Sequence, residues 1–271
     1  MKSLLSVLKG QPLSSALERC ESAVKAAPAD ADKRAEWVQL LLLYGDWQRA
    51  SSQLPAWQAL MPQAAPTTQQ LADCVAAEMQ REQVFSGEIA PPFFTPPQEW
   101  PLLLAEALRA APAQACQLRD RAFELADENA GQLSLSSDEG SAPATPFTWL
   151  ADADSRLGPI CELFLDNRYY WVPFQELESI RFQPPQNVVH LFWAPAMVKW
   201  RSGKQQVCQI PARYPLTAAS EDAHRLGRKT DWQPLSDNGH YAGQGQKTWI
   251  TDDEEYALLT LQQIQFTTDE A

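Results

Sequence analysis

Apolar side chains recur at every third or fourth position through most of the first 130 residues, a spacing typical of amphipathic helices. In residues 31–62, one such stripe comprises Trp37, Val38 and Leu41 and ends at a Gly-Asp turn. A second stripe follows the turn and comprises Ala50, Leu54 and Trp57. The pattern predicts two helices joined by a tight turn, with both stripes facing a common core.

This helix pair belongs to a longer repeat. Ala16 aligns with Ala50, and Pro28 with Pro62, at an offset of 34 residues. A unit of this length, with two helices and a terminating proline, is typical of tetratricopeptide repeats. The four-leucine run inside it belongs to the repeat core, because it is far shorter than the roughly 20 apolar residues of a membrane-spanning helix. We therefore predict a tetratricopeptide-like helical domain over residues 1–130.

Stacked helix pairs of this kind leave a concave face on which such repeats usually bind peptides. Side chains of the first helix in each pair line that face, and here they include Asp32, Gln39 and Leu42. We predict these three residues as candidates for binding a partner. The alternative interpretation is that each is solvated or packs on the next repeat.

The hydrophobic period changes in the second half of the chain. Residues 131–146 read GQLSLSSDEGSAPATP, a small and polar composition that predicts a linker. Beyond it, runs rich in β-branched and aromatic side chains occupy residues 160–166, 168–172, 188–193, 197–201 and 205–210. Five short strands with hairpin turns predict a small, barrel-like, antiparallel β-rich domain over residues 147–271. The whole chain is thus predicted to have an α+β fold.

Composition and charge narrow the choice of partners. The chain carries 22 Lys and Arg against 34 Asp and Glu, a net charge of −12, so we expect no nucleic-acid partner. Because the apolar runs are too short for a spanning helix, we also expect no membrane insertion. The five cysteines are an odd number without a C-x-x-C pair, which favours buried thiols in a reducing compartment over a disulfide framework. The N-terminus lacks a signal-peptide pattern, and the expected location is the cytoplasm.

No sequence motif supports a catalytic, cofactor or metal site. The chain contains no G-x-S-x-G, phosphate-loop, dinucleotide or H-E-x-x-H segment. The three histidines lack the spacing of metal ligands: His190, His224 and His240. The alternative is an enzyme whose site is assembled from scattered residues around Asp152, Asp154, Arg156 and His190. The simpler interpretation of the two aspartates is that they are turn and capping residues, paired with Arg156.

Several segments of the second half occur in a recognisable order. They are FTWLADADSRLGPICELFLDNRYYWVPFQELESIRFQPPQNVVHLFWAPAMVKW, QIPARYP, LGRKTDWQPL and GQGQKTW. Together they resemble the ImpE/SciE family, also called TagJ, of accessory proteins encoded with bacterial type VI secretion systems. The resemblance covers most of residues 147–266, and the first half is similar to the tetratricopeptide-like N-terminal region of that family.

The resemblance implies a cytoplasmic, non-enzymatic adaptor. Family members bind the N-terminal helix of the small contractile-sheath subunit, of the TssB/VipA type, and the disassembly ATPase ClpV is a further proposed partner. Such a helix would lay its apolar face in a hydrophobic groove. We predict this groove either near Gln39 and Leu42 or near Trp171, Trp193 and Trp232, although these tryptophans alternatively belong to the core. A general tetratricopeptide scaffold or chaperone for another peptide is the remaining alternative.

Overall fold

The computed structural model describes residues 11–137, 140–141, 143–235 and 239–267. Residues 1–10, on which the signal-peptide expectation rests, lie outside the described residues. The first half forms the helices α1 Leu13–Ala26, α2 Ala31–Tyr44, α3 Trp47–Leu60, α4 Ala65–Phe85, α5 Glu99–Ala107 and α6 Pro112–Leu125. Among the residues described, no helix combines the length and the apolar character needed to cross a membrane.

Side-chain caps and a glycine set the ends of the paired helices. Asp30 caps α2 because its side chain accepts a hydrogen bond from the backbone N–H of Lys33, at 3.1 Å. Gly45 ends this helix in the left-handed conformation, with a φ of 89° that glycine adopts at little cost. Asp46 then caps α3 through the N–H of Arg49, at 3.2 Å. The predicted Gly-Asp turn is therefore confirmed.

The second half consists mainly of strands. In chain order they are β1 Gly131–Ser137, β2 Gly140–Ser141, β3 Thr145–Phe147, β4 Leu150–Asp152, β5 Ile160–Leu165, β6 Arg168–Pro173, β7 Leu177–Phe182, β8 Trp193–Trp200, β9 Gln205–Pro211, β10 Thr230–Pro234, β11 Tyr241–Gly245, β12 Thr248–Thr251, β13 Glu255–Ala257 and β14 Leu261–Phe266. In the described residues, one short α-helix, α7 Asp222–Arg225, and the 3₁₀ helices Phe174–Glu176, Val188–Leu191 and Leu258–Thr260 lie between these strands. Helices followed by antiparallel strands confirm the predicted α+β fold.

Most of these strands join one antiparallel sheet. Its order is β2-β1-β14-β7-β8-β9-β5-β6. Strand β3 also pairs with β1, on the side opposite β14. Two smaller sheets, β10-β11 and β13-β12-β4, complete the half. Within the described residues the large sheet stays open, with β6 at one end and β2 and β3 at the other. The strand pairing therefore shows an open sheet, and the predicted barrel-like sheet is wrong.

The predicted linker is wrong over residues 131–137, 140–141 and 145–146, which form strands. Strand β1 pairs with β14, with Gly131 opposite Phe266 and Leu133 opposite Ile264, and its other side pairs with β3. Leu133 is buried, and the alternating leucines of GQLSLSS give the strand one apolar face. Residues 138, 139 and 142 of the predicted linker lie outside the described residues.

The apolar run at 188–193 also departs from its predicted strand. Val188–Leu191 forms a 3₁₀ helix, and β8 begins only at Trp193. The side-chain oxygen of Asn187 accepts hydrogen bonds from the N–H groups of Val189 and His190, at 2.9 and 3.3 Å. This cap starts a helical turn in a segment whose composition favours a strand, because a local side-chain bond competes with sheet pairing.

The two halves share a hydrophobic core. One cluster of buried side chains runs from the helices into the sheet, and it includes Val75 of α4 together with Phe164 and Tyr169 of the sheet. A second cluster lies within the sheet half and includes Ile180 and Trp249. The helices are therefore held against the sheet by common packing rather than by a tether.

Candidate functional site

The face of α4 that contacts the sheet carries buried charges. Arg81 donates two hydrogen bonds to Glu162 on β5, from Nε to Oε1 at 2.7 Å and from Nη2 to Oε2 at 2.9 Å. Glu78, one turn earlier, lies 3.4 Å from Arg81 and accepts a hydrogen bond from the indole N–H of Trp193, at 2.8 Å. Buried charges are strongly destabilising unless they are paired. These contacts therefore form a satisfied polar connection between helix and sheet.

Lys247 extends this connection to β4. Its ammonium nitrogen lies 2.5 Å from Oδ2 of Asp152 and 2.7 Å from Oε2 of Glu162. Burial opposes ionisation of Glu162, but Arg81 and Lys247 outweigh it and lower the pKa of that carboxyl. At Asp152 burial prevails over Lys247 and raises the pKa to about 6. We call the five residues Glu78, Arg81, Asp152, Glu162 and Lys247 the ionic joint.

Arg213 covers the end of α2 from the sheet side. Its guanidinium donates to the backbone carbonyls of Leu42 and Leu43, both at 2.8 Å. Burial lowers the pKa of Arg213 to about 9. The carbonyl end of a helix carries partial negative charge, which favours a cation there. A residue of the sheet half thus binds the carbonyl end of α2, the helix that was predicted to contribute side chains to a peptide-binding face.

Three of the predicted partner-binding residues belong to the core. Leu42, Trp171 and Trp193 each have 0% of their surface exposed. Strand β6 packs against α4, and the 3₁₀ helix Val188–Leu191 and α7 pack against α2, so these elements cover the surface that a peptide groove would require. The alternative interpretation of the two tryptophans as core residues is confirmed, and the groove expected beside them is corrected to an internal contact.

The other three predicted residues reach the surface at separate places. Asp32 is exposed on α2, and Gln39 is partly buried beside a small cleft that His190 also lines. Trp232 is 37% exposed on β10 and packs edge-on against Tyr214. The structure does not unite these three in one surface, and their role in binding stays a prediction.

The residues of the enzyme alternative are engaged in internal contacts. Asp152 lies in the ionic joint, and Asp154 accepts hydrogen bonds from Nε and Nη2 of Arg156, at 2.9 and 2.5 Å. His190 lies on the 3₁₀ helix, where its ring contacts the N–H of Gln186 and the side chain of Asn187. The predicted pairing of Asp154 with Arg156 is confirmed. The hydrogen bonds of His190 go to Gln186 and Asn187 rather than to the residues that the enzyme alternative places beside it.

An apolar cleft of about 390 Å³ opens between the end of α6 and the strands β4 and β12. We call it the aromatic cleft, because Phe123 and Trp149 line it and are 36% and 39% exposed. Asp127 and Glu128 add acidic groups to its lining. Apolar clefts of several hundred Å³ with a few polar groups are common binding sites for ligands and for anchor side chains.

Two local features build the aromatic cleft. The side chain of Asn129 pairs with the backbone of Leu150, donating to its carbonyl at 2.8 Å and accepting from its N–H at 2.6 Å, which holds Trp149 near the end of α6. Gly158 has a φ of 56°, and a Cβ there would overlap the ring of Phe123. Sequence reasoning missed this cleft, because its lining comes from separate segments and no single pattern indicates it.

A larger cleft of about 630 Å³ lies where the α2–α3 turn faces α4. Asp46, Glu82 and Glu88 line it together with Met79 and Leu216. Burial raises the pKa of Glu82, although its carboxylate accepts a hydrogen bond from the indole of Trp47 at 2.6 Å. Arg225 and several hydroxyl and amide side chains also line this acidic cleft, and this more polar lining makes it a poorer receptor for an apolar helix face than the aromatic cleft.

One group among the described residues has the composition of a metal site. The ligand atoms of Cys116, Asp120 and His240 all lie within 4.8 Å of one another. The sequence predicted no metal site, because His240 lies 120 residues beyond Asp120 in the chain and no local spacing connects them. All five cysteines are buried, as predicted.

Comparison with known proteins gives the same family in two ways. The sequence profile of the ImpE protein family matches residues 144–265. Over 265 residues the chain is 37% identical to the type VI secretion system accessory component TagJ of Pseudomonas aeruginosa, an alignment that covers 96% of this chain and 89% of that protein. The resemblance found in the sequence is thereby confirmed.

A solved structure shares the fold. The crystal structure of protein VPA1032 from Vibrio parahaemolyticus superposes with a TM-score of 0.84 and is 28% identical in sequence. The superposition covers 95% of each chain. The helical half and the sheet half therefore occur together in both proteins.

Proposed function

Because this chain belongs to the ImpE family, we propose that it is a non-enzymatic adaptor of a bacterial type VI secretion system. The relative from Pseudomonas aeruginosa is named as an accessory component of that system, and it aligns with 96% of this chain. The alignment supports a role for helices and sheet together rather than for either half alone. The proposed location is the cytoplasm, which suits five buried thiols.

The proposed partner is the N-terminal helix of the small contractile-sheath subunit, of the TssB/VipA type. The aromatic cleft carries this proposal. Phe123 and Trp149 are partly exposed beside an apolar cavity, which suits the apolar face of an amphipathic helix. Asp127 and Glu128 would favour a helix that carries basic side chains on its polar face.

Calorimetric titration with a synthetic peptide of the sheath-subunit helix tests the proposal. We expect saturable binding with a negative heat-capacity change, because apolar surface is buried. Phe123→Ala and Trp149→Ala are each expected to weaken binding by about fivefold or more, since truncating an aromatic anchor commonly costs over 1 kcal/mol. A scrambled peptide is the control for nonspecific association.

Trp232→Ala is the matched control variant, because Trp232 is 37% exposed and Trp149 is 39% exposed. It also tests a residue that the sequence predicted for binding. Weaker binding in Trp232→Ala alone would move the site to β10. Full affinity in both cleft variants would reject the aromatic cleft, and no binding by the unaltered chain would reject the proposed partner.

We further propose that the adaptor assists sheath disassembly or recycling by ClpV. An adaptor that holds the sheath-subunit helix would present it to the ATPase without performing chemistry of its own. Sheath disassembly by purified ClpV should then accelerate when this chain is added, and Trp149→Ala should remove the acceleration. An unchanged rate would contradict the link to ClpV while leaving the binding of the sheath helix to be decided by calorimetry.

A further inference from the structure

We infer that Cys116, Asp120 and His240 form a binding site for a divalent transition-metal ion, and that zinc is the ion they fit best. The three residues offer a thiol sulfur, a carboxylate oxygen and an imidazole nitrogen within 4.8 Å of one another. Zinc accepts all three kinds of ligand and often keeps a fourth position for water. The site is independent of the proposed adaptor function.

Two of the ligands come from one face of α6. Cys116 and Asp120 are four residues apart, so they lie one turn apart on the same side of the helix. The sulfur of Cys116 is 3.7 Å from Oδ2 of Asp120. In a tetrahedral zinc site, ordinary bond lengths place a sulfur and an oxygen ligand about 3.6 Å apart. This pair already has the separation that the metal requires.

His240 supplies the third ligand from the residue before β11. Its Nε2 lies 2.8 Å from Oδ1 of Asp120, the other oxygen of that carboxylate, at hydrogen-bond distance. Nitrogen and oxygen ligands of zinc are about 3.4 Å apart, so the imidazole and the carboxylate would have to separate by about 0.6 Å if Oδ1 also bound the ion. The imidazole packs beside Phe123, with ring centroids 5.8 Å apart, and the carbonyl of His240 accepts a hydrogen bond from the N–H of Leu235 at 2.8 Å. The ring is thus already positioned.

The burial of the three residues suits a metal site that opens to solvent on one side. Cys116 is 5% exposed and His240 is 6% exposed, whereas the Asp120 side chain is 51% exposed. The two buried ligands exclude water from most of the ion. The exposed carboxylate leaves an entry path and room for a water molecule as the fourth ligand.

A metal ion here would join the two halves of the fold. Cys116 and Asp120 belong to the helical half, and His240 lies in the sheet half beside the β10-β11 hairpin. An ion that binds only when the three residues are together stabilises the folded state. Zinc is therefore expected to raise the melting temperature of the full chain.

Titration of the chelator-treated full chain with zinc, in competition with a chromophoric chelator, tests the inference. The expected result is one ion per chain. Cobalt(II) in the same site should give the near-ultraviolet charge-transfer band of a sulfur ligand, which Cys116→Ser should abolish. His240→Ala should weaken zinc binding by more than the roughly 10–100-fold that loss of a hydrogen bond supporting a metal ligand costs.

The matched control is the double variant Cys20→Ser/His190→Ala, which removes one buried cysteine and one histidine from other parts of the fold. It should retain the band, the affinity and the zinc-dependent rise in melting temperature. Absence of stoichiometric binding to the unaltered chain would overturn the inference, as would binding that survives both Cys116→Ser and His240→Ala. If Cys116→Ser fails to fold, the zinc affinity of folded His240→Ala decides the question.

Discussion

At the residue scale, burial and charge pairing compete within the ionic joint, and two carboxyl groups show opposite outcomes. Glu162 contacts both Arg81 and Lys247, and these cations lower its pKa against the effect of burial. Asp152 contacts Lys247 and accepts a hydrogen bond from the Tyr214 hydroxyl at 3.0 Å, and burial raises its pKa to about 6. The folded chain therefore binds a proton at Asp152 under mildly acidic conditions that would leave an unfolded aspartate ionised.

A dependence of stability on pH follows for Asp152. Its pKa is about 6 in the folded chain against an ordinary value of 3.8, so its stabilising contribution is complete below 3.8 and is lost as the pH rises through about 6. Across this window the free energy of unfolding of the unaltered chain should fall by about 3 kcal/mol relative to that of Asp152→Asn. Urea unfolding of both proteins at a series of pH values measures this difference. Parallel pH profiles would contradict the raised pKa.

The response of Glu162 has the opposite sign and falls in a different range. Because its pKa is lowered, Glu162 stabilises the folded chain above the ordinary pKa of 4.5, and this stabilisation is lost as the pH falls. Glu162 is retained in Asp152→Asn and responds below pH 4.5, so the difference between the two proteins near pH 6 reports Asp152.

At the element scale, Gly45 lets the α2–α3 turn pack closely against Leu216 of the second half. Its φ is 89°, and a Cβ would lie 2.6 Å from Cδ1 of Leu216. Gly45→Ala is therefore expected to destabilise the chain by about 2–3 kcal/mol, from left-handed strain together with the collision. Chemical denaturation measures the change in the free energy of unfolding.

Gly203 provides the comparison for this prediction. Its φ is 83°, yet nothing lies within 4 Å of the position of a Cβ. Gly203→Ala should show the strain alone, about 1–2 kcal/mol. Equal losses in the two variants would mean that Leu216 moves aside without cost.

The elements that sequence predicted best are those whose pattern is local. The Gly-Asp turn, the hairpin of β5 and β6, and the pair β8 and β9 all depend on neighbouring residues. Strand β1 was missed because its partner β14 lies about 130 residues away, with Gly131 opposite Phe266. Residues 188–191 were missed because one side chain, Asn187, turns an apolar run into a 3₁₀ helix.

At the scale of the whole molecule, the sheet completes the core of the helical half. Leu42 and Val75 are at most 1% exposed, and both belong to the cluster that continues into the sheet. Residues 1–130 alone are therefore expected to lose cooperative unfolding and to bind a hydrophobic dye. Circular dichroism during heating and dye fluorescence test this. A fragment that unfolds cooperatively and binds peptide would instead favour the general tetratricopeptide scaffold.

The candidate sites were less predictable than the fold because they are assembled from distant segments. A repeat pattern indicates which side chains face the core, as it did for Trp37 and Leu41, but it does not say what will cover the other face of the helix, where Leu42 is also buried. The aromatic cleft brings Phe123 of α6 together with Trp149 before β4, and the proposed metal site adds His240 to Cys116 and Asp120. Only the packing of the two halves places these groups together.

The position of β14 has a consequence for how the chain is made. This strand lies between β1 and β7, although it follows every other described strand in the chain. Because the ribosome synthesises a chain from its N-terminus, β1 and β7 are made well before the strand that joins them. The order of synthesis therefore differs from the order of assembly. During that interval the apolar surfaces of the nascent chain are open to chaperones, until β14 emerges and covers them.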